Sequence, residues 1–249
     1  MKKAVIAAAG RGTRMKQLTN HKPKHLINLL GKPFLFYLLK NLSQAGYNEV
    51  ILVVGYQSAK FGEFLENYQK KLPSAIKITL LDQFKICGEN KYGTLLPLKC
   101  VKDLVGKENF LMVCGDNLYS VNDLRSFNCD DRYCYIGGFV SEHPEKYGVL
   151  VSNNGFLTEI IEKPAKFVGN LINAGLYKFT PEIFEKVPQV KLSSRGEYEL
   201  TDAVSLLAKE GKVKIKRIKE FWFDFGNPAD IIKLSRFLEK KSKNGDLAN

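Results

Sequence analysis

The sequence alternates short apolar runs with segments of helical periodicity, and this alternation limits the folds open to it. Residues 5–9, 50–54 and 110–113 are apolar runs of strand length. A helical segment between the first two begins at Pro33 and is closed by Gly46. Strands and helices in alternation predict a parallel sheet with helices on its faces. We therefore expect an α/β chain with a Rossmann-like mixed sheet that is mainly parallel and flanked by helices.

From about residue 133 the predicted strands become shorter and the turns closer. Strands are predicted over residues 135–140, 149–151, 157–162 and 176–179, and Asn153-Asn154-Gly155 is typical of a hairpin turn. No repeat or low-complexity linker divides the chain. We predict a single domain over residues 1–239 with two halves, 1–130 and 131–239, and a frayed polar tail over 240–249.

Charge and composition restrict the class of partner. The 249 residues include 38 Lys and Arg against 26 Asp and Glu, a formal net charge of +12. This excess suits nucleic acid, an anionic membrane or a phosphorylated small molecule. A hydrophobic share of 45% excludes a disordered chain. No apolar run reaches the ~18 residues of a membrane span.

The N-terminus and the cysteines bear on the cellular compartment. The apolar stretch after Lys3 ends after six residues, which is too short for a signal peptide. The five cysteines include no C-x2-C pair, and the chain has three His. These counts favour reduced thiols over a zinc site or a disulfide framework. We therefore expect a cytoplasmic protein without a membrane partner.

The loop after the first predicted strand reads Gly10-Arg11-Gly12-Thr13-Arg14. Small residues there let backbone N–H groups approach a polyphosphate, and arginines add charge-assisted hydrogen bonds. The loop is not a dinucleotide fingerprint, because Met15 replaces the third glycine, and the chain contains no Walker A sequence. Taken alone, the loop is equally compatible with an ordinary turn.

The continuation of this loop points to a family. Leu18-Thr19, Pro23-Lys24-His25-Leu26 and Gly31-Lys32-Pro33 follow in order. Together with the loop they resemble the opening signature of the sugar-phosphate nucleotidylyltransferases, G-x-G-T-R, L-T, P-K-x-L and G-K-P. The resemblance implies the nucleotide-diphospho-sugar transferase fold. It also implies Mg²⁺-dependent transfer of a nucleotidyl group from an NTP to a sugar-1-phosphate, which yields an NDP-sugar and pyrophosphate.

The same resemblance assigns the first half, 1–130, to the nucleotide. Its implied nucleotide-binding residues are Ala8, Gly10, Gly12, Thr13, Arg14, Lys24, Gln83 and Gly93. Arg14 and Lys24 are also implied to be catalytic. For Lys24 the alternative is an ordinary solvated lysine.

Two aspartates are candidate metal ligands. Asp116 directly follows the strand-like run 110–115, where α/β sheets bind ligands, and Asp224 lies among aromatic residues where an unpartnered acid is costly to bury. Mg²⁺ takes one or two carboxylates and completes its shell with water and phosphate. The alternatives are an Asx turn for Asp116 and a helix-flanking acid for Asp224. The family's strand-G-D and W-x-D-x-G segments supply its metal-binding aspartates, so the resemblance implies that Asp116 and Asp224 bind Mg²⁺.

The second half, 131–239, contains further segments that resemble the family, at residues 147–149, 162–164, 173–177 and 195–202. A sugar phosphate needs groups that bind hydroxyls and cations that bind its phosphate. By the resemblance, Gly148 and Glu162 would contact sugar hydroxyls with Asn173 nearby. Lys163, also implied to be catalytic, and Arg195 would hold the attacking phosphate. The alternatives are structural, such as an exposed Glu162–Lys163 ion pair.

The substrate pair and two other classes of protein stay open. Asp116-Asn117 and Arg195-Gly196-Glu197 resemble the glucose-1-phosphate thymidylyltransferases, so we predict glucose-1-phosphate with dTTP or UTP. Residues 86–92 look inserted, which leaves mannose-1-phosphate with GTP, or another pair, as an alternative. A catalytically silent nucleotide-sugar-sensing subunit would lack Arg14, Lys24 or one of the two aspartates, and the sequence has all of them.

Nucleic acid is disfavoured as a partner. Residues 212–217 alternate as an edge strand with its polar side in water does, and do not form a basic face with exposed aromatics. The sequence leaves the oligomeric state open, a homo-oligomer included.

Overall fold

A mixed sheet of nine strands, with helices on both faces, forms the centre of the part of the chain that the computed structural model describes, residues 1–72 and 76–243. The strands are β1 (Lys3–Ala8), β2 (Asn28–Leu29), β3 (Lys32–Pro33), β4 (Glu49–Val54), β5 (Lys77–Asp82), β6 (Phe110–Cys114), β7 (Asn117–Tyr119), β8 (Cys134–Val140), β9 (Gly148–Asn153), β10 (Phe156–Glu162), β11 (Leu171–Phe179), β12 (Val213–Arg217) and β13 (Trp222–Asp224). The α-helices are α1 (Phe34–Gln44), α2 (Ala59–Tyr68), α3 (Gln83–Cys87), α4 (Leu96–Val105), α5 (Val121–Ser126), α6 (Ile183–Lys186), α7 (Leu200–Lys209) and α8 (Pro228–Lys243).

The two halves of the chain build different parts of this sheet. Its strand order is β5-β4-β1-β6-β11-β8-β12-β10-β9. β5, β4, β1 and β6 run parallel, as the alternation of strands and helices predicts. Beyond β6 the neighbours are antiparallel, except that β8 and β12 are parallel. β9 also bonds to β11, so the second half curls back on itself.

The central strand β1 is apolar along its length because both of its faces are covered. Ala4 and Ile6 belong to one buried cluster, and Val5 belongs to another on the opposite face. Helices α1 and α5 contribute to the first cluster, and α4 and α7 contribute to the second. This burial makes β1 and β6 a rigid base for the loops at their carboxyl ends.

A small second sheet pairs β7 with β13. Its register places Asp224 opposite Asn117, and the Phe225 N–H donates to the carbonyl oxygen of Asp116 at 2.8 Å. Phe225 is fully buried and stacks on Phe34 with ring centroids 4.7 Å apart. This packing brings Asp224 back beside the end of β6.

The predicted hairpin turn is confirmed. Asn154 and Gly155 connect β9 to β10 with φ values of 49° and 79°. Two consecutive residues with positive φ are what the tight turn of a twisted hairpin requires, and an Asn-Gly pair supplies them at low cost.

Several predicted boundaries differ from the structure. The polar segment 83–93, which has neither strand nor helical periodicity in the sequence, begins with helix α3, because the Asp82 side chain accepts hydrogen bonds from the N–H groups of Phe84 and Lys85. The strand predicted at 176–179 begins earlier, at Leu171. Helix α8 includes residues 240–243 of the expected tail, and residues 244–249 lie outside the described part.

The expectation of an edge strand near residue 213 is wrong. β12 lies between β8 and β10 in the sheet. Its lysines cover aromatic rings, with the Lys214 Nζ atom 3.8 Å from the Tyr133 ring centroid and the Lys216 Nζ atom 4.6 Å from that of Tyr135. The polar side of this strand is therefore packed on neighbouring rings.

Candidate active site

The candidate residues of both halves line one cleft of about 650 Å³. Those that line it are Gly10, Gly12, Thr13, Arg14, Lys24, Gln83, Gly93, Asp116, Gly148, Glu162, Lys163, Asn173, Arg195 and Asp224. The structure does not place Ala8 on the cleft surface, because its side chain is buried at the end of β1. The fold thus brings together segments that are far apart in the sequence.

The glycine loop packs directly on the stem of Lys24. Gly12 has a φ of 67°, and a Cβ atom there would lie 3.2 Å from the Cβ atom of Lys24. Its carbonyl oxygen accepts hydrogen bonds from the Met15 N–H at 2.9 Å and the Thr19 hydroxyl at 3.2 Å. Glycine at position 12 therefore meets two demands, a left-handed backbone and close contact with Lys24.

Lys24 and Asp116 form an ion pair at the base of the cleft. The Lys24 Nζ atom donates to Asp116 Oδ2, and only 9% of Lys24 is exposed. Burial acts against the charged carboxylate, but the charge and hydrogen bond of Lys24 outweigh it and lower the pKa of Asp116. Asp116 is therefore an anion, and Lys24 is not a solvated surface lysine.

The Asp224 carboxyl is harder to ionise than that of Asp116. Burial, followed by the neighbouring Asp116, raises the pKa of Asp224 to about 6, while Arg14 and Lys24 oppose the rise. In residues 1–72 and 76–243, no donor is hydrogen-bonded to the Asp224 carboxylate. Along β13, Trp222 and Asp224 share the face toward the cleft. Alternation along the strand thus places a half-buried carboxylate, without a hydrogen-bond donor in the described part, toward the space beside Asp116.

The two aspartates fit a divalent cation with oxygen ligands. A cation between them would relieve the repulsion that raises the pKa of Asp224. The described part of the chain holds no group of three or more His, Cys, Asp or Glu side chains suited to a metal. Two carboxylates with water and substrate phosphate are the shell that Mg²⁺ usually takes, so the donor set suits this ion better than zinc.

The other wall of the cleft joins β9, β10 and β11. Gly148 and Glu162 are cross-strand partners, and a Cβ atom at Gly148 would lie 3.0 Å from Glu162 Oε2. Asn173 donates through Nδ2 to the Tyr177 hydroxyl at 2.8 Å, and its Oδ1 atom accepts from the Gly175 N–H at 3.0 Å. These polar groups are of the kind that binds sugar hydroxyls.

Lys163 and Arg195 bring positive charge to this wall. Arg195 contacts Glu199 Oε1 at 2.9 Å through Nη2 and Glu162 Oε1 at 4.0 Å through Nη1. Lys163 has a φ of 43°, and its N–H donates to the Tyr147 carbonyl oxygen at 3.0 Å. No Glu162–Lys163 ion pair occurs, and the Lys163 ammonium forms no ion pair with any residue of 1–72 or 76–243. Lys163 is thus a cation available to an anionic ligand.

The loop at the far end of the cleft is held by backbone contacts across the two halves. Gly93 has a φ of 138°, and a Cβ atom there would lie 2.1 Å from the Tyr198 carbonyl oxygen. That oxygen accepts from the Leu95 N–H at 3.0 Å. Nearby, Gln83 is 5% exposed, and its Oε1 atom has no partner in the described part of the chain. An unsatisfied amide oxygen in a cleft is a group that a ligand can satisfy.

Sequence reasoning missed several groups of the site. His25 lines the cleft, and burial, aided by Lys24, lowers its pKa to about 3. The Thr94 hydroxyl accepts from the Leu200 N–H at 2.9 Å and lies 3.5 Å from Glu199. In the sequence, His25 is marked only by its place as the x residue of the P-K-x-L segment. Glu199 is marked only by its place in the family-like segment 195–202.

A mixed α/β sheet with a glycine loop, two acids and several cations at its strand ends is typical of proteins that bind phosphorylated nucleotides. The chain belongs to the nucleotidyl transferase family, whose sequence pattern matches residues 3–241. Membership confirms the family that the motifs predict.

Relatives of known name support this placement. The chain is 35% identical over 240 residues to the bifunctional protein GlmU of Methanocaldococcus jannaschii, with 96% of this chain and 54% of the relative covered. It is 34% identical over 236 residues to UTP–glucose-1-phosphate uridylyltransferase AglF of Haloferax volcanii, with 91% and 92% covered. The chain thus spans about half the length of GlmU and of a bifunctional sugar-1-phosphate nucleotidylyltransferase/acetyltransferase of Sulfurisphaera tokodaii.

The fold is similar to that of solved structures. The structure of UDP-glucose pyrophosphorylase complexed with UDP-glucose matches with a TM-score of 0.83 at 24% identity, covering 97% of this chain and 99% of that chain. This likeness confirms the predicted fold class.

Within the described part of the chain, every helix falls short of the length and apolar character that crossing a bilayer requires.

Proposed function

We propose that this protein transfers a nucleotidyl group from an NTP to a sugar-1-phosphate and releases pyrophosphate. The main observation behind this proposal is that two walls with different sets of polar and charged groups face the same cleft. One wall presents Arg14, Lys24 and two aspartates, and the other presents Lys163, Arg195 and polar groups. Two polyanions need such an arrangement, because their mutual repulsion opposes the reaction.

On the nucleotide wall, the glycine loop and Arg14 hold the triphosphate. The open space at Gly10, where a Cβ atom would have no neighbour within 4 Å, leaves room for phosphate beside the backbone N–H groups. The nucleotide base binds against Gln83, through its unsatisfied amide oxygen, and against the backbone at Gly93.

On the sugar wall, Lys163 and Arg195 hold the phosphate of the sugar. The Glu162 carboxylate accepts hydrogen bonds from sugar hydroxyls and the backbone N–H of Gly148 donates to one, with Asn173 beside them. The phosphate oxygen attacks the α-phosphorus of the NTP, and pyrophosphate leaves. A phosphate monoester is already an anion, so the step needs no general base and no covalent nucleophile.

Asp116 and Asp224 would hold Mg²⁺ in this reaction. The bound ion would neutralise charge on the substrate phosphates and help to orient them. The ion pair between Lys24 and Asp116 keeps the carboxylate ionised and ready for a cation. Arg14 balances the remaining negative charge near Asp224.

Glucose-1-phosphate with UTP or dTTP is the proposed substrate pair. AglF, which is named a UTP–glucose-1-phosphate uridylyltransferase, aligns over nearly its whole length. Mannose-1-phosphate with GTP is the alternative, because the chain is also 33% identical over 241 residues to the mannose-1-phosphate guanylyltransferase catalytic subunit beta of Dictyostelium discoideum. The presence of Arg14, Lys24 and both aspartates argues against a silent subunit.

The test is a matrix of five NTPs against a panel of sugar-1-phosphates, with pyrophosphate release as the readout and samples without Mg²⁺ as controls. We expect release that requires both substrates and is highest for glucose-1-phosphate with UTP or dTTP. Highest release with mannose-1-phosphate and GTP would contradict the substrate assignment alone. Absence of release with every pair would contradict the proposed activity.

A further inference from the structure

The segment that looks inserted in the sequence, 86–92, carries one member of a close pair of thiols. Cys87 ends helix α3, and Cys100 lies in helix α4. Their Sγ atoms are 3.4 Å apart. Both side chains are partly exposed, so a small reagent can reach them. The proposed reaction uses neither cysteine.

We propose that Cys87 and Cys100 form a reversible disulfide that closes the segment between them. A disulfide has an S–S length of about 2.05 Å, so the two sulfurs must approach by roughly 1.4 Å. Helix α3 is short, and Gly88 follows it with a φ of 86°. Cys87 is the last residue of this short helix, and helix ends fray, so a local shift at the end of α3 is enough to bring the sulfurs together.

The other cysteines lack such a partner. Cys129 contacts the Phe127 carbonyl oxygen, and Cys134 contacts the Thr180 hydroxyl. Cys114 lies in the cleft at the end of β6. No second pair of cysteine sulfurs lies in hydrogen-bond contact within residues 1–72 and 76–243. The geometry therefore selects one disulfide among the ten pairs that five cysteines allow.

The chemistry balances with a small disulfide such as oxidised glutathione as the oxidant. The Cys87 thiolate attacks one glutathione sulfur, which breaks the glutathione S–S bond and releases one glutathione thiolate. Cys100 then attacks Cys87 Sγ in the mixed disulfide and releases the second glutathione thiolate. The two protons lost by the cysteines are taken up by the two glutathione molecules. Burial and the contact with Cys87 raise the pKa of Cys100, which favours Cys87 as the first nucleophile.

The bond would restrain the loop that lines the nucleotide end of the cleft. Tyr92, Gly93 and Thr94 line the cleft and lie between the two cysteines. A covalent link across their ends removes conformations from the segment. The effect on nucleotide binding rests on the proposed function, whereas formation of the bond does not.

The test uses the reduced full chain equilibrated with oxidised glutathione, alkylated with N-ethylmaleimide and mapped by mass spectrometry. We expect a Cys87–Cys100 cross-link that dithiothreitol removes, with Cys114, Cys129 and Cys134 alkylated. The matched control Cys129→Ser keeps this cross-link, and Cys87→Ser loses it. Alkylation or glutathionylation of both Cys87 and Cys100 without a cross-link, or a scrambled set of cross-links, would overturn the proposal.

A second measurement tests whether the disulfide restrains the segment between the two cysteines. Backbone hydrogen exchange of residues 88–95 is expected to slow by about threefold or more in the oxidised protein and to stay unchanged in oxidant-treated Cys87→Ser. Equal exchange before and after cross-linking would contradict the restraint. Neither readout depends on catalysis, so a failed matrix of NTPs and sugar phosphates leaves this test intact.

Discussion

At the scale of single residues, position in the cleft separates side chains that look alike in the sequence. Lys163 and Lys166 are both exposed lysines three positions apart, yet only Lys163 lines the cleft. The sequence marks Lys163 through the E-K-P segment, but its positive φ and its lack of an ion pair in the described part are visible only in the structure.

Lys163→Met is expected to lower the rate of pyrophosphate release by about 10²- to 10³-fold, because a cation aligned with the reacting phosphate is lost. Steady-state kinetics with both substrates varied provide the measurement. Lys166→Met is the matched control and is expected to stay within about twofold of the wild type. Equal rates for the two variants would refute a phosphate-binding role for Lys163.

His25 is expected to make stability fall in mild acid. The pKa of His25 is about 3 in the folded protein, because of burial and then Lys24, against an ordinary value of 6.5. Between these values the unfolded chain binds a proton that the folded protein does not, so unfolding becomes easier as the pH falls below 6.5. The loss is about 2 kcal/mol at pH 5.

Urea unfolding at pH 7 and pH 5 checks this effect. His25→Gln is expected to remove about 2 kcal/mol of the difference between the two pH values. His143→Gln, which changes an exposed histidine, is the control and is expected to keep it. An unchanged difference in His25→Gln would show that other groups cause the acid sensitivity.

At the scale of elements, the site is completed by a pairing between two short strands that lie far apart in the sequence, and no local pattern predicts this pairing. β7 and β13 have three residues each and are separated by about a hundred positions. Neither has the length or the alternation that predicts a strand. Their pairing nevertheless places Asp224 beside Asp116. The motif identified Asp224, but only the packing of Phe225 on Phe34 shows how it reaches the cleft.

Gly93→Ala is expected to destabilise the protein by about 2 kcal/mol and to raise the KM for the NTP. The added Cβ atom would lie 2.1 Å from the Tyr198 carbonyl oxygen, so the loop must move away from residues 195–200. Unfolding and steady-state kinetics provide the two readouts. The control Gly62→Ala, in helix α2 with no atom near its Cβ position, is expected to be neutral or stabilising. Wild-type stability and KM in Gly93→Ala would contradict this packing.

At the scale of the whole molecule, the first half was more predictable than the second. The apolar runs that form β1, β4 and β6 are buried on both faces, and a continuous apolar run is a local signal. In the second half, strand order depends on pairings between distant segments, such as β12 with β8. The alternation in β12 predicted an edge strand, but lysine packing on Tyr133 and Tyr135 produces the same pattern inside the sheet.

The central claim is that Asp116 and Asp224 act on two substrates bound in one cleft. Pyrophosphate release from the preferred NTP and sugar-1-phosphate, compared among wild type, Asp116→Asn, Asp224→Asn and the exposed control Asp103→Asn, tests it most directly. We expect release to require both substrates, to fall by about 10²-fold or more in the first two variants and to persist in the third. Circular dichroism verifies that each variant is folded. Near-wild-type release from folded Asp116→Asn and Asp224→Asn would contradict the account.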